Sequence, residues 1–146
     1  MSLLAPTDFP RWTRAKLGLP PNADLTLELE DHIAHAENHA RFLVGDEAYD
    51  DLASDDPGNE DRRKRFKAAV KALTESRLYM LQAEDLGMRA GHSTQGARTR
   101  TITADARRGA TAAANRAFVD FVEGMFRLGH VVGPRALNQF HVTVTR

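Results

Sequence analysis

The chain has 146 residues, 42% of them hydrophobic, and 20 basic and 20 acidic side chains that give a formal net charge of zero. This length suits one globular domain over residues 1–146 with a modest core, and the lack of cysteine excludes disulfides, thiol nucleophiles and cysteine-based zinc sites. No apolar run approaches the roughly 20 residues that span a bilayer, and residues 1–19 lack the apolar centre of a signal peptide, so no membrane contact is expected.

Acidic and basic residues are separated along the chain. Residues 24–61 contain thirteen acidic residues and one basic residue, Arg41, whereas residues 62–146 contain sixteen basic and six acidic residues. Two halves of opposite sign can present complementary surfaces to neighbouring copies, which favours head-to-tail assembly. The alternative is two solvated helix faces that merely differ in charge.

The chain opens with a short helical unit. Asp8 is suited to cap a helix over residues 10–17, which Gly18 ends before two prolines extend the chain. Asp24 or Thr26 can then cap a long helix that Gly45 terminates. Its apolar residues recur every three or four positions and predict one buried stripe: Leu29, Ile33, Ala36, Ala40 and Leu43.

The middle of the chain predicts an acidic loop and then a second long helix. Residues 46–58 are rich in turn-forming residues, with at most one helical turn, and the helix spans about residues 59–86. Its apolar face comprises Phe66, Ala69, Val70, Leu73, Leu78, Met80, Leu81 and Ala83. The basic cluster at its start lies at the positive end of the helix dipole, so a partner or acidic neighbours must explain Arg62, Arg63, Lys64, Arg65 and Lys67.

The last third of the chain predicts an extended loop, a third long helix and a C-terminal arm. Residues 87–103 contain three glycines and several arginines, with a short strand expected over 98–103. The helix spans about 105–128, with small residues early and bulky ones from Phe118 to Phe126. The arm, residues 134–146, alternates in a pattern typical of strands. The fold class is therefore mostly α, a small bundle of three long helices plus a short N-terminal helix.

Three histidines on the first long helix are the strongest candidates for metal binding. His35 and His39 are four residues apart, and His32 lies one turn before them. A di-metal carboxylate site needs Glu-x-x-His pairs and a zincin needs His-Glu-x-x-His, and the sequence contains neither. We expect these histidines to border the buried stripe or a subunit contact, where they could titrate near neutral pH.

Other catalytic signatures are also missing from the sequence. It has no glycine-rich phosphate loop, its serines lie in no nucleophile-elbow context, and the aspartate pairs of residues 50–56 lack the register of an EF-hand. We therefore expect a protein that is not an enzyme and has no cofactor.

Three stretches carry a family resemblance. They read WTRAKLGL (12–19), LEDHIAHAENHARFLVG (29–45) and, after the acidic loop, RRKRFKAAVKALTESRLYM (62–80). In this order they resemble the head-tail connector proteins, also called adaptor or head-completion proteins, of long-tailed bacteriophages and gene transfer agents. That family has a KxxLGL-like opening, a helix ending near glycine, and a helix with a K-A-x-x-x-L pattern closing on an aromatic residue. In this chain the K-A-x-x-x-L pattern and its closing aromatic residue correspond to Lys67, Ala68, Ala69, Leu73 and Tyr79.

The resemblance covers about residues 8–86 and implies a function in assembly. Such proteins form a ring, typically of twelve subunits, beneath the portal vertex and extend the DNA channel. The implied partners are copies of the chain, the portal protein, a tail-side connector or stopper, and the genomic DNA. The implied location is the neck of the virion, after assembly in the host cytoplasm. Many relatives are shorter after the second helix, so the exact subtype stays open.

The resemblance also assigns expected roles to particular residues. Arg62, Arg63 and Arg65, with Phe140, Val142 and Val144 of the arm, are expected at subunit or portal contacts, where an alternating strand can pair with another chain. Four arginines are expected to face the channel and the DNA phosphates: Arg98, Arg100, Arg107 and Arg108. Alternatively, the loop is simply exposed and the arm pairs locally with residues 98–103.

Two alternatives from other functional classes stay open. One is a metal-binding helical bundle that uses His32, His35 and His39. The other is a nucleic-acid-binding module built on residues 62–67 and 98–108, which zero net charge and the lack of a known DNA-reading motif make less favourable.

Overall fold

The computed structural model describes residues 2–92 and 97–130, and the side chains of residues 2–89 and 103–130. A 3-10 turn, Pro6–Asp8, is followed by α1 (Leu25–Val44), α2 (Asp46–Ala53), α3 (Glu60–His92) and α4 (Ala97–Arg127). The described part of the chain contains helices and no strand, which confirms the mostly α fold class. The C-terminal arm, residues 134–146, lies outside it.

The long helix α3 is the centre of the fold, and α1 and α4 pack on different faces of it. The buried Ser76 Oγ donates a hydrogen bond to the carbonyl of Ala114 in α4, at 2.8 Å. The next residue, Arg77, instead donates from Nε to His32 Nδ1 in α1, at 3.4 Å. Since successive residues of α3 contact different helices, α1 and α4 occupy separate faces of α3.

The first long helix has the cap, the buried stripe and the end that its sequence predicts. The Asp24 carboxylate accepts hydrogen bonds from the backbone N–H groups of Thr26 (3.0 Å) and Leu27 (3.2 Å). The helix ends at Gly45, whose φ of 89° favours glycine. Four residues of the predicted stripe are buried: Leu29, Ile33, Ala36 and Ala40. The fifth, Leu43, is only half-buried and packs against the core.

The helix predicted over residues 10–17 is wrong, because this segment forms successive turns. Asp8 does not cap a helix there: its carboxylate accepts from the N–H of Ala5 (2.9 Å) and pairs with Lys67 (3.3 Å). The hydrogen bond from Ala5, and then Lys67, lower the pKa of Asp8 although burial opposes the shift. The turns instead bury single large side chains against α3. For example, the rings of Trp12 and Tyr79 make an edge contact with their centroids 4.9 Å apart.

The acidic segment after Gly45 contains more helix than predicted. It forms α2, of eight residues, instead of a loop with one turn. Tyr49 and Leu52 of α2 are buried, and the Tyr49 ring meets Phe66 of α3 in an edge contact with centroids 5.2 Å apart. Two apolar anchors one turn apart are enough to hold this short helix on the core, since burial stabilises it.

The predicted loop over residues 87–103 is largely helical, and the strand expected over 98–103 is wrong. α3 continues past Gly87 to His92, and α4 begins at Ala97. Glycine costs a helix about 1 kcal/mol relative to alanine, which is why the sequence favoured a loop. Here the two helices pack on each other, and packing outweighs propensity. A Cβ at Gly87 would lie 3.1 Å from Cζ of Arg107, so the glycine leaves room for that guanidinium.

The contact between α3 and α4 is close where α4 has small residues. Ala110, Ala114 and Ala117 are buried, and a Cβ placed on Gly124 would lie only 3.0 Å from the Cβ of Ala69. Of the bulky residues predicted to follow, Phe118, Phe121 and Met125 are fully buried. Phe126, by contrast, leaves 69% of its surface exposed.

Candidate functional site

The three histidines of α1 have separate environments. His32 is half-buried beside Arg77, and burial, followed by the charge of Arg77, lowers its pKa. His35 is exposed and donates from Nδ1 to the carbonyl of Asp31 at 2.9 Å. His39 is half-buried. No group of three His, Cys, Asp or Glu side chains in the described residues could hold a metal ion. The described part of the chain therefore gives the metal-binding alternative no support.

The basic cluster at the start of α3 is partly engaged within its own chain. Arg62 Nη2 lies 3.2 Å from Asp51 Oδ2, and Arg63 forms an ion pair with Asp55. Acidic neighbours therefore explain two of the three arginines predicted at an interface. Arg65 is exposed and takes part in no ion pair among the described residues, so of these three it is the one left available to a partner.

The acidic segment after α1 is also partly paired within the chain. Arg41 Nη1 lies 2.9 Å from Asp50 and 3.5 Å from Asp46, and its guanidinium lies 4.4 Å from the centre of the Tyr49 ring. Burial, and then the Glu37 charge, raise the pKa of Tyr49 to about 12, so the phenol stays protonated. The side chain of Arg41 thus ties the end of α1 to α2.

One acidic residue of α1 anchors the start of the chain. Glu37 Oε1 accepts hydrogen bonds from Ser2 Oγ (2.9 Å) and from the backbone N–H groups of Leu3 (2.7 Å) and Leu4 (2.9 Å). Sequence reasoning missed this role, because no local pattern connects residues more than thirty positions apart.

The helices on the two faces of α3 carry opposite charge. α1 has four acidic residues and one arginine, whereas α4 has six arginines and three acidic residues. Glu30 and Asp31 are exposed on α1, and Arg107, Arg108 and Arg116 are exposed on α4. Despite the internal ion pairs, the molecule therefore keeps an acidic flank and a basic flank.

All four arginines predicted to face a channel belong to α4, including Arg98 and Arg100, which the sequence placed in a loop. Arg107 and Arg108 are exposed, and Arg108 forms an ion pair with Asp105 one turn earlier. Arg98 and Arg100 lie in the first turns of the helix, and their side chains are outside the described part. The structure thus places the backbone of all four arginines on one rigid element.

The arm residues Phe140, Val142 and Val144 lie outside the described residues. Their expected contact with a portal or a neighbouring subunit stays a prediction.

Several large apolar side chains are exposed. Phe42 of α1 is 73% exposed, and the others in the described part of the chain are Leu27, Met88, Val119 and Phe126. Sequence reasoning missed Val119 and counted Phe126 among the bulky residues of the third helix. Val119 and Phe126 are seven residues apart, which is almost two full helical turns, so they lie on the same side of α4. This spacing is the sequence signal that could have identified the pair.

A cavity beside the start of α3 is open and mixed in charge. Its volume is about 340 Å³, and its lining includes three acidic and three basic side chains: Asp55, Asp56, Glu60, Arg63, Lys64 and Lys67. With balanced charges, the cavity has no net field that would select an ionic ligand.

The stretch that opens the family resemblance forms one packed unit with α3. Leu17 is buried, Gly18 has a φ of 68°, and a Cβ on Gly18 would overlap the carboxylate of Asp85. Trp12 reaches Tyr79, the aromatic residue that closes the second helical pattern. The residues that resemble the connector family therefore contact each other in the fold.

Within residues 2–92 and 97–130, no helix combines the length and apolar character that crossing a membrane requires. Comparison of the chain with protein-family models, with curated proteins and with solved structures gives no match in any of the three.

Proposed function

We propose that this chain is a structural assembly protein, a head-tail connector of the kind found in long-tailed bacteriophages. In this proposal, copies of the chain form a ring beneath the portal protein and extend the DNA channel towards a tail-side connector or stopper. The protein acts in the neck of the virion by binding its neighbours, not by catalysis.

The observation that carries the proposal is the placement of opposite charge on the two faces of α3. In a cyclic ring each subunit contacts the next through two different surfaces. An acidic α1 and a basic α4, held apart by α3, supply two such surfaces of complementary sign. The exposed apolar residues Leu27 and Phe42 on α1 and Val119 and Phe126 on α4 add area that a neighbour could bury.

The sequence resemblance supports the same function. Its first stretch packs on α3 in the fold: Trp12 meets Tyr79 of the third stretch, and Gly18 lies against Asp85, just beyond that stretch. These contacts give a packing reason for a Gly-containing opening motif to occur with an aromatic residue late in the long helix. The arginines of α4 are then available to DNA phosphates or to the next ring.

The nucleic-acid-binding alternative is less well supported. Arg62, Arg63 and Lys67 form ion pairs with Asp51, Asp55 and Asp8, which engages three of the five basic residues in 62–67 on which that reading depends. No second observation in the described residues favours it.

The test uses the portal protein encoded in the same genome. Purified portal rings are mixed with the full chain and imaged by electron microscopy, and a ring of additional density on one face of the portal is expected. The double variant Glu30→Lys/Asp31→Lys should reduce ring occupancy, because it reverses charge on the acidic flank. Asp56→Lys is the matched control: it is an exposed acid outside α1 and should leave occupancy unchanged. Portal rings that bind no chain under any salt condition would contradict the proposal.

A further inference from the structure

One side of α4 carries residues at the spacing of a coiled-coil seam. Successive members are three and four residues apart, in two heptads: Ala112, Asn115, Val119, Val122 and Phe126. Ala112, Val119 and Phe126 are exposed, and Asn115 and Val122 are half-buried. Val122 also packs against the core, and Ala112 borders a groove with Tyr79 of α3. The described elements leave Val119 and Phe126 uncovered, although the seam has the pattern that normally lies against a second helix.

The two borders of the seam differ. One border consists of Phe118 and Met125, which are fully buried in the core. The other consists of Arg116 and Glu123, which are exposed and of opposite charge. A helix that docks on the seam can therefore meet charged side chains on one border only.

We propose that two copies of the free chain pair through this seam, with their α4 helices antiparallel about a two-fold axis. In that arrangement Val119 packs against the partner's Val122, and Phe126 packs beside the partner's Asn115, and symmetry repeats both contacts. The polar Asn115 within an apolar seam fixes the register of the pair.

Charge selects the antiparallel orientation. In this register Arg116 lies next to the partner's Glu123, and Glu123 lies next to the partner's Arg116, so two ion pairs form at once. In a parallel pair the facing border positions would be Phe118 and Met125, which are already buried, and no ion pair would form. The seam is thus complementary to itself in one orientation only.

The pairing has a consequence for assembly. A two-fold contact uses the same surface on both copies, whereas a cyclic ring whose subunits all point one way uses two different surfaces. The pair would also cover the α4 flank that the proposed ring presents to its neighbour. It is therefore a form of the free protein that must separate before the ring forms, although the pairing itself does not depend on the proposed function.

The test measures the mass of the full chain by sedimentation equilibrium over a range of concentrations. The wild-type chain, of 16.2 kDa, is expected to pass from monomer to dimer as concentration rises. Arg116→Glu or Glu123→Arg alone should weaken dimerisation by about tenfold or more, because each places like charges together twice. The double variant Arg116→Glu/Glu123→Arg exchanges the partners and should restore dimerisation to within about threefold of wild type.

The control is Glu47→Arg, a charge reversal at an exposed position on α2, which lies on a different helix from the seam and should leave dimerisation unchanged. Circular dichroism checks that every variant keeps its helical content. A monomer at all concentrations up to about 1 mM overturns the pairing. The pairing is also overturned if the single variants dimerise as well as the wild-type chain, or if the double variant does not restore dimerisation. A chain that stays monomeric is also the result expected if the C-terminal arm folds onto the seam.

The outcomes separate the two proposals. A dimer in solution together with no ring on the portal would overturn only the proposed function. A ring on the portal formed from a chain that never dimerises would overturn only the pairing.

Discussion

Gly18, in the opening stretch of the family resemblance, is expected to be important for the stability of the fold. Its φ of 68° is a conformation that L side chains rarely adopt, and a Cβ there would overlap the Asp85 carboxylate. We predict that Gly18→Ala lowers the free energy of unfolding by about 2–4 kcal/mol, from backbone strain together with displacement of Asp85. Urea denaturation measures the change.

Gly58 is the matched control for this prediction. It also has a positive φ, of 92°, but no atom lies within 4 Å of the place where its Cβ would be. Gly58→Ala should therefore cost only the backbone strain, about 1–2 kcal/mol. An equal or larger loss for Gly58→Ala would mean that the contact with Asp85 is unimportant.

His32 makes stability depend on pH in a defined direction. Burial and the neighbouring Arg77 lower its pKa in the folded state below the ordinary value of 6.5, so the fold favours the neutral ring. Its contribution is fully present above about pH 6.5 and is lost as the pH falls towards the lowered pKa. We predict that His32→Gln flattens the decline of stability between about pH 7 and pH 5, measured by thermal unfolding at several pH values.

The exposed His35 provides the comparison for this pH effect. His35→Gln changes an exposed side chain whose influence on the pKa of His32 is smaller than that of burial or Arg77, so it should flatten the pH profile less than His32→Gln does. If both variants flatten the profile equally, the environment of His32 is not the cause.

At the residue scale, the sequence indicated contacts between near neighbours better than contacts between residues far apart in the chain. Asp24 was predicted as a helix cap from its position before an apolar stripe, and both cap hydrogen bonds are present. Asp8 was predicted as a cap on the same grounds, but it pairs with Lys67, which is far away in sequence. The role of Glu37 in holding residues 2–4 likewise depends on tertiary contacts that no spacing reveals.

At the element scale, the spacing of apolar residues predicted the long helices. The glycines, however, led to wrong positions for the end of α3 and the start of α4. The buried stripe of α1 and the buried face of α3 from Phe66 to Leu78 follow the three-and-four pattern. The helical stretches after Gly87 and before residue 105 have little apolar character, so their pattern indicated a loop. At Gly87 the two helices contact each other through Arg107, and a tertiary contact of this kind is what a reading from helix propensity leaves out.

Two glycines of α4 test how closely α3 and α4 approach. Gly109 has no atom within 4 Å of its would-be Cβ, whereas the would-be Cβ of Gly124 meets the Cβ of Ala69 at 3.0 Å. We predict that Gly109→Ala raises the free energy of unfolding by about 0.5–1 kcal/mol, because alanine is the better helix former. Gly124→Leu should lower it by about 1–3 kcal/mol, because the added side chain forces the helices apart.

Both glycine variants of α4 are compared by urea denaturation. Equal effects of the same sign at the two positions would contradict a close contact at Gly124. A Gly124→Ala variant gives an intermediate check, since its helix-propensity gain is opposed by the contact with Ala69.

At the scale of the whole molecule, charge is less divided than the sequence counts suggest. The sequence places thirteen acidic residues within 24–61 and sixteen basic residues after them. The fold joins part of each group: Asp51 and Asp55 meet Arg62 and Arg63 across the turn between α2 and α3. These ion pairs are exposed, so each contributes at most about 1 kcal/mol. What a neighbour meets is the remaining acidic surface of α1 and basic surface of α4.

Sequence reasoning predicted two segments of opposite charge but not how the fold separates them. Charge separation indicated an assembly protein, and it is the arrangement of α1 and α4 around α3 that gives this charge two separate faces. The exposed apolar seam of α4 was missed because Val119 and Phe126 lie beside buried residues of the same helix, so the pattern alone suggested one core face. Which residues a helix buries depends on how many neighbours it has, and within residues 2–92 and 97–130 the other helices leave Val119 and Phe126 of α4 exposed.

The central claim is that the chain is a repeated component of a virion neck. Quantitative mass spectrometry of purified particles, which compares this chain with the portal protein of the same particle, tests it most directly. The account predicts about one copy of the chain for each portal subunit, as a cyclic ring on the portal requires. A single copy per particle, or no copy at all, would contradict it.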